Sequence, residues 1–66
     1  MSESKYPVLV RWSGEDRAFI AEAEDLPGCM ADGATRAEAV DAVEVVIREW
    51  IETARELGRA VPEPGG

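Results

Sequence analysis

The chain has 66 residues, 14 of them acidic and seven basic, which gives a net charge of −7. This length allows one domain, taken as residues 1–66 with frayed tails expected at 1–4 and 64–66. A single cysteine and no histidine exclude an internal disulfide and a four-ligand Cys/His zinc site. Because Lys and Arg bind nucleic-acid phosphates, the charge disfavours direct nucleic-acid binding. It suits a basic protein partner, and composition alone fits equally well an acidic surface that only keeps a small protein soluble.

The apolar runs are far shorter than the roughly 20 residues that span a membrane, and no positively charged signal sequence opens the chain. We therefore expect a soluble cytoplasmic protein without a membrane partner, in which Cys29 is reduced. A core of this size rarely supplies more than about 3–5 kcal/mol without staples or partners. Burial against another chain would add stability, so a homo-oligomer, dimer or higher, is predicted.

Two alternating segments predict an antiparallel hairpin. Residues Tyr6–Trp12 place apolar side chains on alternate faces, as a half-buried strand does. Ser13–Asp16 forms a compact turn that contains a glycine. Arg17–Glu24 alternates again, with small and aromatic side chains on one face and glutamates on the face expected to meet water. We expect these segments to pair as the first and second strands.

The stretch that follows, "DLPGCMADGAT", predicts corners between the hairpin and a helix. Pro27-Gly28 is typical of a tight turn, since proline presets φ at the second turn position and glycine accepts a positive φ at the third. Cys29–Ala31 is predicted as a short third strand. Asp32-Gly33 is predicted as a second turn that leads into the helix.

One long amphipathic helix is predicted after this turn. Thr35 and Glu38 have the spacing of a capping box, in which the two side chains satisfy free N–H groups at the helix start. Gly58 is placed to end the helix in the left-handed conformation, after roughly 23 residues. Apolar residues recur every three or four positions along one face. They are Val40, Val43, Ile47, Trp50, Ile51, Ala54 and Leu57.

The tail after the helix is expected to be extended, because its prolines prevent further helix. Ala60-Val61 is predicted to add a very short edge strand. The fold class is therefore α+β: a small antiparallel sheet in β-β-β-α-β order, with one long helix packed on one face.

Cys29 admits two interpretations, a reactive thiol or a structural core residue. The chain has no histidine to activate it, and the nearby Asp25 and Asp32 would raise the pKa of the thiol. Free cysteine is also among the most frequently buried residue types, which favours the structural interpretation.

The carboxylates of Glu22, Glu24 and Asp25 are the other candidate site. Paired carboxylates can serve acid–base chemistry or bind Mg²⁺. Two acids at a spacing of two are also what a solvated strand face presents, and the chain has no Gly-rich phosphate loop. We therefore expect no enzyme activity, no cofactor and no metal site.

Tryptophan and acidic residues are the candidate partner contacts. Trp50 lies on the apolar helix face and is predicted to join the core, whereas Trp12 either caps the core or stays exposed as a contact residue. Exposure and charge select five partner-binding candidates. They are Trp12, Glu22, Glu24, Asp25 and Asp32.

The order and spacing of several segments give the chain a family resemblance. These segments are Tyr6-Pro7-Val8, "EDLPGCMADGAT", "TRAEAVDAVEVVIREWI" and "ELGRAVPEP". Together they cover almost the whole chain, which resembles the HicB-like antitoxins of bacterial and archaeal type II toxin–antitoxin systems. Each segment alone is a weak signal, and the combination is specific.

The resemblance implies a partial RNase H-like fold without nuclease activity. It also implies that the chain binds and inhibits a small, basic HicA-type toxin, an mRNA endoribonuclease with a double-stranded-RNA-binding-like fold. Many members carry a further C-terminal DNA-binding module that this sequence does not show, so operator binding by this chain alone is not expected. The alternative is an orphan homo-oligomer of the same fold, with a structural or regulatory role and no toxin.

Overall fold

In the computed structural model, which describes residues 5–64, three strands precede one long helix. The elements are β1 (Val8–Ser13), β2 (Ala18–Ala23), β3 (Met30–Gly33) and α1 (Arg36–Glu56). The strands pair antiparallel in the order β1-β2-β3, and α1 packs mainly over β3 and β2. The predicted α+β class, with one helix on one face of a small antiparallel sheet, is confirmed. The partial RNase H-like relation stays a prediction.

The core lies between the sheet and the helix. Val8 pairs with Ala23 and Val10 with Ala21, so the alternation of β1 and β2 brings these side chains to the helix side of the sheet. The central cluster is made of mostly small buried side chains. Its members are Ala21, Ala23, Leu26, Cys29, Ala39, Val43 and Ile47.

A four-residue hairpin turn joins β1 and β2, at residues 14–17, one position later than the predicted Ser13–Asp16. Ser13 Oγ donates a hydrogen bond to the Asp16 carboxylate at 3.1 Å across the base of the turn. Arg17 closes the turn with φ of 51°, a left-handed conformation that is costly for a residue with a side chain. The hairpin therefore holds a small amount of backbone strain at Arg17.

The Pro27-Gly28 turn is confirmed. The Cys29 N–H donates to the Leu26 carbonyl at 3.0 Å, and Gly28 has φ of 76°, as the third position of a type II turn requires. Trp50 Nε1 donates to the Pro27 carbonyl oxygen at 3.0 Å. The helix therefore holds this turn through a side chain 23 positions away in sequence.

The third strand begins one residue later and ends two residues later than predicted. Asp32 and Gly33 were expected to turn, but they lie in β3, opposite Ile20 and Phe19 of β2. That prediction was wrong because both residues pair with the central strand. The chain bends instead at Ala34 and Thr35, immediately before the helix.

Both predicted ends of α1 are confirmed, with a small difference at the start. Thr35 Oγ1 accepts a hydrogen bond from the Glu38 N–H at 3.1 Å, while the Glu38 carboxylate accepts from the N–H of Ala34 rather than of Thr35. At the other end Gly58 has φ of 70°. Its N–H donates to Arg55 and the next N–H to Ala54, the hydrogen-bond pattern of a Schellman motif.

The short strand predicted at Ala60-Val61 is wrong, because the described tail does not join the sheet. Instead the Tyr6 hydroxyl donates to the Pro62 carbonyl at 2.6 Å, so a side chain attaches the tail beside the start of β1. Tyr6 itself precedes β1 and packs against the core. The frayed tails predicted at 1–4 and 64–66 lie, apart from Pro64, outside the described residues.

Candidate protein-binding surface

The sheet face away from the helix, here called the outer face, is not covered by any described element. Side chains on a strand alternate between faces, so the residues between the core-facing positions project here. Leu9 and Met30 keep 48% and 46% of their surface exposed. Beyond the Ser13–Ala18 pair next to the hairpin turn, the outer face consists of Leu9, Arg11, Ile20, Glu22, Met30 and Asp32.

The strand register arranges the outer face in two rows. In one row Glu22 lies between Leu9 and Met30, and it is half-buried. In the other, Ile20 lies between Arg11 and Asp32. Each row therefore mixes apolar and charged side chains.

Glu22 and Asp32 are diagonal neighbours on adjacent strands, with Cα atoms about 7–8 Å apart in this geometry. Two carboxylates at that separation, beside exposed apolar side chains, can receive the cationic side chains of a protein while burying apolar surface. The outer face is therefore suited to a basic protein partner.

Glu24 and Asp25 lie in the loop that joins β2 to β3. Glu24 is exposed and Asp25 is half-buried, and the loop is closed by the Leu26 N–H donating to the Ala23 carbonyl at 3.1 Å. Both carboxylates follow directly after the strand that carries Glu22. They continue the negative charge beyond one end of the outer face.

Trp12 lies on the helix side of the sheet, separate from the predicted acidic contacts. It pairs with Phe19, and the two rings meet edge to face with centroids 5.1 Å apart. The Arg36 guanidinium lies 5.5 Å from the Phe19 centroid, so a cation stacks on the same pair. Trp12 remains 56% exposed, and the five predicted contact residues do not form one cluster.

Cys29 is fully buried in the central cluster, and burial raises the pKa of its thiol above the ordinary value. A neutral thiol out of reach of solvent is a poor nucleophile, so the structural interpretation of Cys29 is confirmed. Within residues 5–64, no group of three Cys, Asp or Glu side chains is placed to hold a metal ion. The helix in the same range is not long and apolar enough to cross a membrane.

Leu9 and Met30 are surface residues that the sequence-based selection of contacts omitted. The alternation of β1 did indicate the position of Leu9, because Leu9 lies on the other face of the strand from the core-facing Val8 and Val10. Neither Leu9 nor Met30 is charged or aromatic, and charge and aromatic character are the properties from which the contact residues were predicted. The stacking of Arg36 on Phe19 had no local signal, since the two residues belong to different elements.

Comparison with known proteins places these features in a family. A family model described as a HicB-like antitoxin of a bacterial toxin–antitoxin system matches residues 6–66. The UPF0150 protein Ta0767 of Thermoplasma acidophilum is 31% identical over 58 residues, which cover 88% of this chain and 83% of that protein. No solved structure matches the chain significantly.

Proposed function

Because the chain belongs to the HicB-like antitoxin family of bacterial toxin–antitoxin systems, we propose that it binds and inhibits a small basic toxin, an mRNA endoribonuclease of the HicA type. The observation that carries this proposal is the family match over residues 6–66, which spans the whole folded unit. In this proposal the chain acts in the cytoplasm by binding a protein. It performs no catalysis, needs no cofactor and does not itself bind nucleic acid.

The physical basis of inhibition is competition for a positively charged surface. A ribonuclease holds RNA through Lys and Arg contacts to phosphates, and an acidic protein on those side chains removes the charge that RNA needs. The net charge of −7 steers a basic toxin toward the chain and speeds association. Leu9 and Met30 on the outer face supply apolar surface that holds the complex after encounter.

We assign the toxin to the outer face and its adjoining loop. Negative charge there comes from Glu22, Asp32 and Glu24. Arg11 on the same face carries a positive charge that offsets part of it. Trp12 is a second contact, reached only by a partner that wraps around the hairpin edge, because it lies on the other side of the sheet. A toxin of ordinary size can cover both, since standard interfaces bury about 800 Å² on each partner.

The test begins with the genes that adjoin the one for this chain. A small basic protein encoded there is co-expressed and co-purified with the chain, and the lack of such a gene would count against the proposal. Binding is then measured at low and high salt for the wild type and for the double variant Glu22→Lys, Asp32→Lys. A matched control is Asp41→Lys, Glu52→Lys, which makes the same change in net charge on exposed positions of α1. We expect the outer-face variant to lose much more affinity than the helix variant.

Two results would count against this account in different ways. Equal weakening by the two double variants would mean that net charge matters and the outer face does not. Failure of the neighbouring protein to bind the wild-type chain at any salt concentration would contradict toxin capture itself.

We further propose that the chain is a homo-oligomer. Within residues 5–64, nine hydrophobic side chains are buried, and five of them are alanines. Such small side chains bury little apolar surface, and a core this thin gains stability from association with another chain. The same thin core favours the second candidate, an orphan homo-oligomer with a structural or regulatory role; persistent oligomers together with no toxin binding would support it.

A further inference from the structure

The C-terminal half of α1 carries an apolar groove of about 240 Å³, here called the helix groove. Its lining includes Val46, Glu49, Trp50, Thr53, Leu57 and Arg59. We propose that the helix groove is the interface between two copies of this chain, related by a two-fold axis. This inference rests on the homo-oligomer part of the proposed function and is independent of toxin capture.

The spacing along the groove is that of a helix-pairing seam. Val46, Trp50, Thr53 and Leu57 are separated by four, three and four positions, the alternation that two packed helices use. Thr53 at the middle is short, which lets two helices approach closely there. Leu57 is 61% exposed at the end of the seam, where it can serve as a projecting side chain.

A two-fold axis near Thr53 makes the groove complementary to itself. In an antiparallel pair centred on Thr53, Leu57 of one copy falls opposite position 49 of the other, between Val46 and Trp50. Trp50 forms one side of that contact, and its indole is held in place because Nε1 donates a hydrogen bond to the Pro27 carbonyl at 3.0 Å. Each copy thus offers one projecting leucine and one receiving groove.

Charge decides which partner fits the groove. Two copies of a chain with net charge −7 repel each other unless they meet through a patch without excess charge. The groove lining carries one acid, Glu49, and one base, Arg59. In the proposed pair Arg59 follows Leu57 by two positions, and Leu57 falls opposite position 49, so Arg59 can reach Glu49 of the other copy from beside the leucine. The outer face instead carries an excess of carboxylates, which suits a basic partner.

The test is the mass of the particle in solution, measured by light scattering over a wide range of protein concentrations. Leu57→Arg places a charge on the seam at an exposed position. Val45→Arg is the matched control, since Val45 is 50% exposed on the same helix and does not line the groove. We expect the wild type and Val45→Arg to dimerise, and Leu57→Arg to raise the dissociation constant at least about tenfold. Circular dichroism checks that both variants remain folded.

A charge exchange gives a second, independent test. Glu49→Arg places two bases against each other across the proposed interface and should weaken the dimer. Adding Arg59→Glu in the same chain restores an opposite pair and should recover it. Recovery requires Glu49 and Arg59 to face each other, which a merely structural effect of either substitution does not produce.

The outcomes separate the proposed interface from the homo-oligomer proposal on which it rests, and from toxin capture. A wild type that is monomeric at every concentration overturns both the oligomer and the interface. Dimers that persist in Leu57→Arg and in Glu49→Arg overturn the interface and leave the oligomer standing. If Leu57→Arg leaves the assembly intact and instead abolishes toxin binding, the groove belongs to the toxin and the inference is wrong.

Discussion

Gly33 is the position where a single added methyl group should damage the fold most directly. It ends β3 beneath the first turns of α1, and α1 packs against β3 more extensively than against β1 or β2. A Cβ atom at Gly33 would lie 2.5 Å from the backbone nitrogen of Ala39 and 2.8 Å from the carbonyl carbon of Glu38. Because these are backbone atoms, no side-chain rotation can relieve the clash.

The expected cost of Gly33→Ala follows from that geometry. Strand and helix must separate by about 0.9 Å to lengthen the shortest contact from 2.5 Å to 3.4 Å, where ordinary van der Waals contact begins. Overpacking of a close contact typically costs about 1–3 kcal/mol. In a domain of this size each kcal/mol lowers the melting temperature by roughly 4–8 °C. The variant therefore loses a large part of a stability that is only about 3–5 kcal/mol in small cores.

Thermal and urea unfolding, followed by circular dichroism, measure the effect. Gly14→Ala is the matched control, because, apart from residues 13–15 themselves, no atom of the described chain lies within 4 Å of a Cβ atom at that hairpin position, and its φ is not positive. The control should stay within about 0.5 kcal/mol of the wild type. If Gly33→Ala were as stable as Gly14→Ala, the close approach of β3 to α1 would be refuted.

Three further predictions concern the hairpin, the tail and the core. Arg17→Gly should raise the free energy of unfolding by about 0.5–1 kcal/mol, because glycine relieves the left-handed strain at φ of 51°; an equal gain from Arg17→Ala, which keeps the strain, would contradict this cause. Tyr6→Phe removes the hydrogen bond to Pro62 and should cost about 0.5–1.5 kcal/mol, with faster amide exchange in residues 59–63; unchanged exchange there would mean that this bond does not hold the tail. Because burial raises the pKa of Cys29, the unfolded chain releases the thiol proton first as the pH rises. The contribution of the buried neutral thiol to the free energy of unfolding should therefore be fully present below about pH 8.5, the ordinary pKa of a thiol, and be lost above it. Urea titrations across alkaline pH should show a weaker decline of that free energy in Cys29→Ala. An equal decline in both proteins would exclude the thiol as its source.

The sequence predicted best the features that depend on neighbouring residues. Turns and helix ends depend on hydrogen bonds between residues a few positions apart, so residue type alone is enough to predict them. Examples are the Pro27-Gly28 turn, the Thr35 cap and the helix end at Gly58. The two sides of the hairpin were also predictable, because alternation fixes which side chains share a face. The burial of Cys29 was also predictable, because the sequence has no histidine that could activate the thiol and free cysteine is commonly buried.

The features that the sequence missed join residues far apart in the chain. In the sequence Gly33 looks like an ordinary turn glycine. Its close approach to Ala39 arises only from the packing of the helix against β3. The prediction of a strand at Ala60-Val61 was wrong, and a hydrogen bond from Tyr6 to Pro62 attaches the described tail instead. No local pattern records such a pairing.

The candidate contact surface was predicted in part. Glu22 and Asp32 were selected for charge, and the register brings them to one face. Trp12 was selected as an aromatic residue at a strand end, yet it lies on the opposite face beside Phe19. Residue type alone does not separate Trp12 from Glu22 and Asp32, because the strand pairing decides which side chains share a face.

Inhibition of RNA cleavage tests the central claim most directly. A small basic protein encoded by an adjoining gene is purified, and its cleavage of an mRNA is followed while the wild-type chain is added in increasing amounts. The account predicts that cleavage stops when the chain reaches the stoichiometry of the complex, and that more of the Glu22→Lys, Asp32→Lys variant is needed. Cleavage that continues unchanged in an excess of folded wild-type chain would contradict it.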